Sequence, residues 1–114
     1  MKVTTEKHDT ILIVEINGRV DISTAKKFES ALLTPIRQGV KEIIVDLASL
    51  TYLSSAGLRA LLTASQKTHT AGGALMICEA SSQVREVLKV SGLSRMITSV
   101  DTREMAINLF KRVS

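Results

Sequence analysis

The chain has 114 residues, enough for one ordinary domain and no more. It is 45% hydrophobic and 23% charged, as a soluble globular protein should be, and with 3% aromatics its core must be built from Val, Ile, Leu, Ala and Met. The net charge of +4 is spread along the chain with few aromatics for base stacking, which argues against direct nucleic-acid binding.

The one cysteine, Cys78, lies in the apolar run "ALMICEA" and cannot close an internal disulfide, which fits a reducing cytoplasm. The opening "MKVTTEKHDT" has no apolar signal core. No stretch approaches the roughly 18 apolar residues that span a bilayer. A cytoplasmic protein without membrane insertion, or one held at a membrane only by a partner, is expected, with residues 1–114 forming one domain.

In chain order, "KVTTEK" (Lys2 to Lys7) reads as an edge strand. "HD" makes a turn, and "TILIVEING" (Thr10 to Gly18) alternates as a second strand. So short a turn forces the pair antiparallel. After "GRVDIST" a first helix begins, capped by Ser23 or Thr24, with Phe28, Ala31, Leu32 and Ile36 at core spacing. Pro35 removes a helical hydrogen bond and predicts a kink or an early end, and Gly39 is a stop signal.

"KEIIVDL" (Lys41 to Leu47) suits a central strand covered on both faces. The second helix spans about Ser55 to Thr70, with Leu58, Leu61, Leu62 and Ser65 inward, and "AGG" ends it. "ALMICEA" (Ala74 to Ala80) is the next buried strand. A third helix starts near Ser82, turns Val84, Val87 and Leu88 inward and stops by Gly92. "MITSV" (Met96 to Val100) is a short last strand. "DTREMAINLFKR" closes as a helix, capped by Asp101 or Thr102, with Asp101 and Glu104 resembling a capping box. The order β-β-α-β-α-β-α-β-α predicts an α/β fold: a mixed β-sheet with an antiparallel N-terminal strand, mainly parallel strands after it, and about four helices.

Little in the chain supports catalysis. "LSSAG" holds half of a nucleophile elbow, but Leu53 stands where the first glycine belongs. His69 is on the same helix as Ser55, ~21 Å away at about 1.5 Å per residue, out of reach as a base. His8, His69 and Cys78 lack metal-ligand spacing, and no P-loop is present. Asp46, at a strand end, invites comparison with the phosphoaccepting aspartate of receiver domains, but "EING" stands where those domains carry a magnesium-binding acidic pair. Asp46 reads instead as a strand-end carboxylate accepting backbone hydrogen bonds. No cofactor and no enzymatic activity are expected. Ser54 has a plain structural use as the N-cap of the second helix, worth ~1 kcal/mol.

"DLASLTYLSSAGLRALL" resembles the signature of the STAS domain, specifically the bacterial anti-sigma factor antagonists, in which a strand ending in Asp-Leu leads to a serine-containing segment that opens the second helix. "INGRVDISTAKKFESAL" and "VREVLKVSGLSRMI" are similar to the family's segments around its first and third helices, so the resemblance covers nearly the whole chain. It implies a mixed sheet with helices on one side and the end. It implies that Ser55 is phosphorylated, with Asp21 the acidic residue beside it. Where many members have Asp before this serine and Ser or Thr after it, this chain has Ser54 and Ala56, so Ser54 stands as the alternative acceptor.

The resemblance further implies two partners. One is an anti-sigma factor serine kinase with a histidine-kinase-like ATPase fold, which the unmodified protein binds to free a sigma factor. The other is a serine phosphatase that resets the cycle. The expected contact surface comprises Asp21, Ser54, Ser55, Ala56, Gly57 and Arg59. For Gly57 a purely structural use, close packing of the helix start, is the competing reading. STAS domains also serve as scaffold modules in stressosome-like or lipid-transport assemblies, which is the alternative function.

Overall fold

A computed structural model describes residues 1–113. Six strands and four helices follow one another: β1 (Lys2–His8), β2 (Ile11–Val20), α1 (Ala25–Arg37), β3 (Glu42–Asp46), β4 (Leu50–Leu53), α2 (Ser55–Thr70), β5 (Ala74–Cys78), α3 (Ser82–Val90), β6 (Thr98–Val100) and α4 (Arg103–Val113). A short 3-10 turn at Leu93–Arg95 precedes β6. The sheet runs β1-β2-β3-β5-β6, with β1 antiparallel to β2 and the other pairs parallel.

β2 is long enough to serve two partners. Ile11 to Glu15 pair with β3, and beyond a register shift at Gly18/Arg19 the last residues pair with β4, Arg19 opposite Tyr52 and Val20 opposite Leu53. The predicted order passes from the strand ending at Leu47 straight to the second helix, so the strand β4 was not expected. Its four residues are too few to show alternation, and only Leu50 and Leu53 point inward.

Alternation along the strands divides the core in two. Val14, Ile16, Ile43, Val45, Leu75 and Ile77 face α1, α2 and α3. On the other face Ile11, Ile13, Ile44, Met76 and Cys78 meet Ala106 and Phe110 of α4. α4 thus covers the second face of the sheet, where helices on one side and the end were expected. Burial pushes the Cys78 thiol up to about 12, the Asp46 charge adding to the effect, so it stays protonated and behaves as a small core hydrophobe.

Several local expectations are corrected. α1 includes Pro35 but ends two residues later at Arg37, and the chain turns at Gly39, whose φ of +97° is left-handed. α2 turns Gly57, Ala60, Leu61, Ala64 and Thr68 inward, while Leu58, Leu62 and Ser65 are only partly buried. Small residues on that stripe let the helix lie close to its neighbours, and the leucines flank it. Ala31 is half-buried beside buried Leu33, and Val87 lies on the outer side of α3 at 37% exposure. At α4 the cap is Thr102, whose hydroxyl accepts from the Met105 N–H, while the Glu79 carboxylate accepts from the Arg103 N–H. Asp101 is not part of a capping box; it pairs with Arg85.

Candidate functional site

The two serines sit at the junction of β4 and α2. The Ser54 N–H donates to the Val20 carbonyl (2.9 Å), which ties the helix start to the end of β2. Ser54 is extended (φ −81°, ψ 172°), and its hydroxyl accepts from the Gly57 N–H at 3.1 Å. It is the N-cap and half-buried. Ser55 is the next residue, the first of the helix. It is exposed, and its hydroxyl makes no hydrogen bond among the described residues. One serine is therefore committed to the fold, and its neighbour is presented to solvent.

Gly57 is buried. A Cβ there would lie 2.6 Å from Leu53 Cδ1 and 2.8 Å from Val20 Cγ1, so only glycine lets the first turn of α2 lie this close to β2 and β4. Its structural use is thus visible, and it lies beneath the surface that Ser55 tops. Ala56 is half-buried. Arg59, four residues after Ser55 and on the same helix face, is exposed and pairs with no carboxylate among the described residues. α2 has no acidic residue in its first turn, so its positive dipole end is uncompensated.

Asp21 follows Val20 directly and organises the turn into α1. One carboxylate oxygen accepts from the Ser23 N–H (3.0 Å), the Ser23 hydroxyl (2.6 Å) and the Thr24 N–H (3.2 Å). The Asp21 N–H in turn donates to the Thr24 hydroxyl. Thr24 occupies the N-cap position of α1, as expected, but makes no side-chain cap bond, while the Asp21 carboxylate holds the Ser23 and Thr24 N–H groups just before the helix. The Ser23 hydroxyl bond, helped by the other bonds and opposed by partial burial, holds the Asp21 carboxyl below its usual range. Because the Val20 carbonyl holds Ser54, this turn stands beside the start of α2.

Three further residues share this end of the molecule and escaped the sequence reading. Ile22, at the tip of the Asp21 turn, is 87% exposed. Tyr52 projects outward from β4, and the Arg19 guanidinium stacks on its ring, 4.3 Å from the centroid. The signal for the last pair was the ladder of β2 with β4, invisible until β4 itself is recognised.

Asp46 is elsewhere, on the α4 face. Its carboxylate accepts from the Ala48 N–H (2.9 Å) and from Arg103 Nε (2.8 Å), and it is 2% exposed. Arg103 also faces Glu6 and Glu15, each at 3.7 Å. Desolvation opposes its charge, and the hydrogen bond to Asp46 and the three carboxylates raise its pKa. Both Asp46 oxygens are occupied, an arrangement that serves structure. Among the described residues no group of His, Cys, Asp and Glu could hold a metal ion, and no helix is long and apolar enough to cross a membrane.

Residues 2–110 match the STAS domain. The chain belongs to the STAS domain family. BtrV of Bordetella bronchiseptica, a candidate anti-sigma factor antagonist, is 35% identical over 97% of this chain and 96% of its own length. The STAS fold is shared with a candidate anti-sigma factor antagonist from Thermotoga maritima, with a TM-score of 0.88 and 20% identity over 93% of this chain and 92% of that one. It is shared too with the phosphorylated form of the Bacillus cell fate determinant SpoIIAA (TM-score 0.73, 23% identity, 99% and 100% coverage).

Proposed function

We propose that this STAS domain is an anti-sigma factor antagonist whose docking is switched by phosphorylation of Ser55. Unmodified, it binds a kinase-type anti-sigma factor through the surface at the start of α2 and so frees a sigma factor in the cytoplasm. The kinase moves the γ-phosphoryl group of ATP to the Ser55 hydroxyl oxygen, whose proton is released, and the complex comes apart. A serine phosphatase restores the hydroxyl. The chain is ligand and substrate in this cycle and catalyses no step.

The observation that carries this reading is the division of labour between the two serines. Ser54 is held as the cap, and Ser55 stands exposed one residue later at the capped helix start. Phosphorylating Ser54 would forfeit a cap worth ~1 kcal/mol; phosphorylating Ser55 costs the fold nothing. A phosphoserine carries about −1.5 to −2 charges at neutral pH. At the N-terminus of α2 that charge meets the positive dipole end, worth about 0.3–1 kcal/mol, with Arg59 within reach on the same face. The folded protein tolerates the modification. A docked partner does not, because desolvating an unpaired phosphate costs on the order of several kcal/mol, and about 1.4 kcal/mol is tenfold in affinity.

The test is incubation with ATP and the cognate anti-sigma factor kinase, followed by peptide mass spectrometry. One phosphate per chain on Ser55 is expected, retained in Ser54→Ala and abolished in Ser55→Ala, which still binds the kinase. A stable complex that never acquires phosphate would make the domain a scaffold module instead.

A further inference from the structure

We infer that Ile22 is the apolar anchor by which this chain grips its anti-sigma factor, with Tyr52 and Arg19 as a second contact. The inference rests on the docking reading above and names what holds the partner, apart from the serine that releases it.

At 87% exposure, Ile22 is the most exposed large apolar side chain among the described residues, which bury nearly every other isoleucine. Its backbone is fixed on both sides. Val20 pairs with Leu53 in the ladder, and after Ile22 the Ser23 and Thr24 N–H groups bind the Asp21 carboxylate. The Thr24 hydroxyl also reaches back to the Arg19 carbonyl at 3.1 Å. An apolar side chain held out on a hydrogen-bonded turn loses little freedom when it docks, which is the property of an efficient anchor.

The second contact follows the same logic. Tyr52 is the only tyrosine of a chain with 3% aromatics, and it is on the surface at 42% exposure. Arg19 lies across it, so both are pre-arranged, and Tyr and Arg are the residue types that dominate interface energetics. These residues are continuous with the serine site, since Arg19 pairs with Tyr52, Val20 holds Ser54 and packs on Gly57, and Asp21 leads to Ile22. The partner face that fits has an apolar recess for Ile22 and carboxylates opposite Arg19 and Arg59.

The other strongly exposed apolar residues, Val90 and Met96, lie by α3 and β6, across β3 and β5 from this surface. They supply the control. The experiment is calorimetric titration of the purified cognate anti-sigma factor kinase, without ATP, into wild type, Ile22→Ala, Ile22→Val, Tyr52→Ala, Val90→Ala and Ser55→Asp. Ile22→Ala is expected to weaken binding about 30-fold or more, and Tyr52→Ala about tenfold. Ile22→Val should recover most of the affinity, and Val90→Ala should match wild type. The thermal midpoint of Ile22→Ala should not fall, since the side chain is exposed. Wild-type affinity in Ile22→Ala, with binding lost in Ser55→Asp, would overturn the anchor and leave the switch standing. Absence of binding by wild type would remove both.

Discussion

Two helices of this protein begin in the same way. α2 opens on Ser54 and Ser55, α3 on Ser81 and Ser82. In each pair the first serine is extended and accepts a hydrogen bond from the N–H three residues on, at 3.1 Å in α2 and 3.2 Å in α3. In each the second serine is exposed at the first helical position. What differs is the surroundings. Near Ser82, Arg85 donates to the Ala80 carbonyl and pairs with Asp101, so the local cation is spent within the fold. Near Ser55, Arg59 pairs with no described carboxylate, and Ile22, Tyr52 and Arg19 stand out from the adjoining turn and strand. A capped helix end with a spare hydroxyl is common architecture; the uncommitted neighbours of Ser55 are what single out the α2 start as the proposed docking site.

That contrast can be broken most sharply with charge. Ser55→Asp should lower affinity for the anti-sigma factor about a hundredfold or more, whereas Ser82→Asp should leave it unchanged, as read by calorimetry. Equal losses in both variants would make the two helix starts functionally alike. Next in size is Arg103→Ala, which strands the buried Asp46 carboxylate on the structural side of the molecule. It should lose ~2 kcal/mol in urea unfolding, less than a fully buried pair because Arg103 is 30% exposed. The caps themselves should be matched: Ser54→Ala and Ser81→Ala should each cost ~1 kcal/mol of stability. A much larger loss at Ser54 would show that its bond does more than cap.

The smallest effect is a titration. Asp21 has a carboxyl pKa held low by the Ser23 hydroxyl, so the turn presenting Ile22 is favoured at neutral pH. That support is complete above the ordinary carboxylate range and is lost as pH falls through the lowered value. Following the Asp21 carboxyl by NMR, Ser23→Ala should move its midpoint upward.

Much of the fold was readable because its punctuation is local. Ser54 before a helical stripe and "AGG" after it fix α2, and the continuous apolar run at Ile43 to Val45 announces a strand buried on both faces. What was not readable depends on distant partners. β4 exists because the end of β2 offers it a ladder, and its four residues carry no period of their own. The inward stripe of α2 is set by how closely Gly57, Ala60 and Ala64 let it approach, against the pull of Leu58 and Leu62. The pairing of Asp46 with Arg103 joins residues 57 apart. The serines, and Ser54 as the cap, were readable from the sequence; the cap bond to the Gly57 N–H and the unbonded, exposed Ser55 hydroxyl needed the structure. Ile22 was hidden because an isoleucine is ordinarily counted toward a core.

The shift at Gly18 separates two kinds of duty along β2. Before it, the strand is locked between neighbours on both sides; after it, Val20 and Leu53 take up the packing while Arg19, Ile22 and Tyr52 project outward. Sequence can therefore drift at the outward positions with little penalty to folding. On the proposed docking role, in a cell holding several such domains that freedom is a route to insulated signalling, each chain acquiring its own face on an unchanged frame.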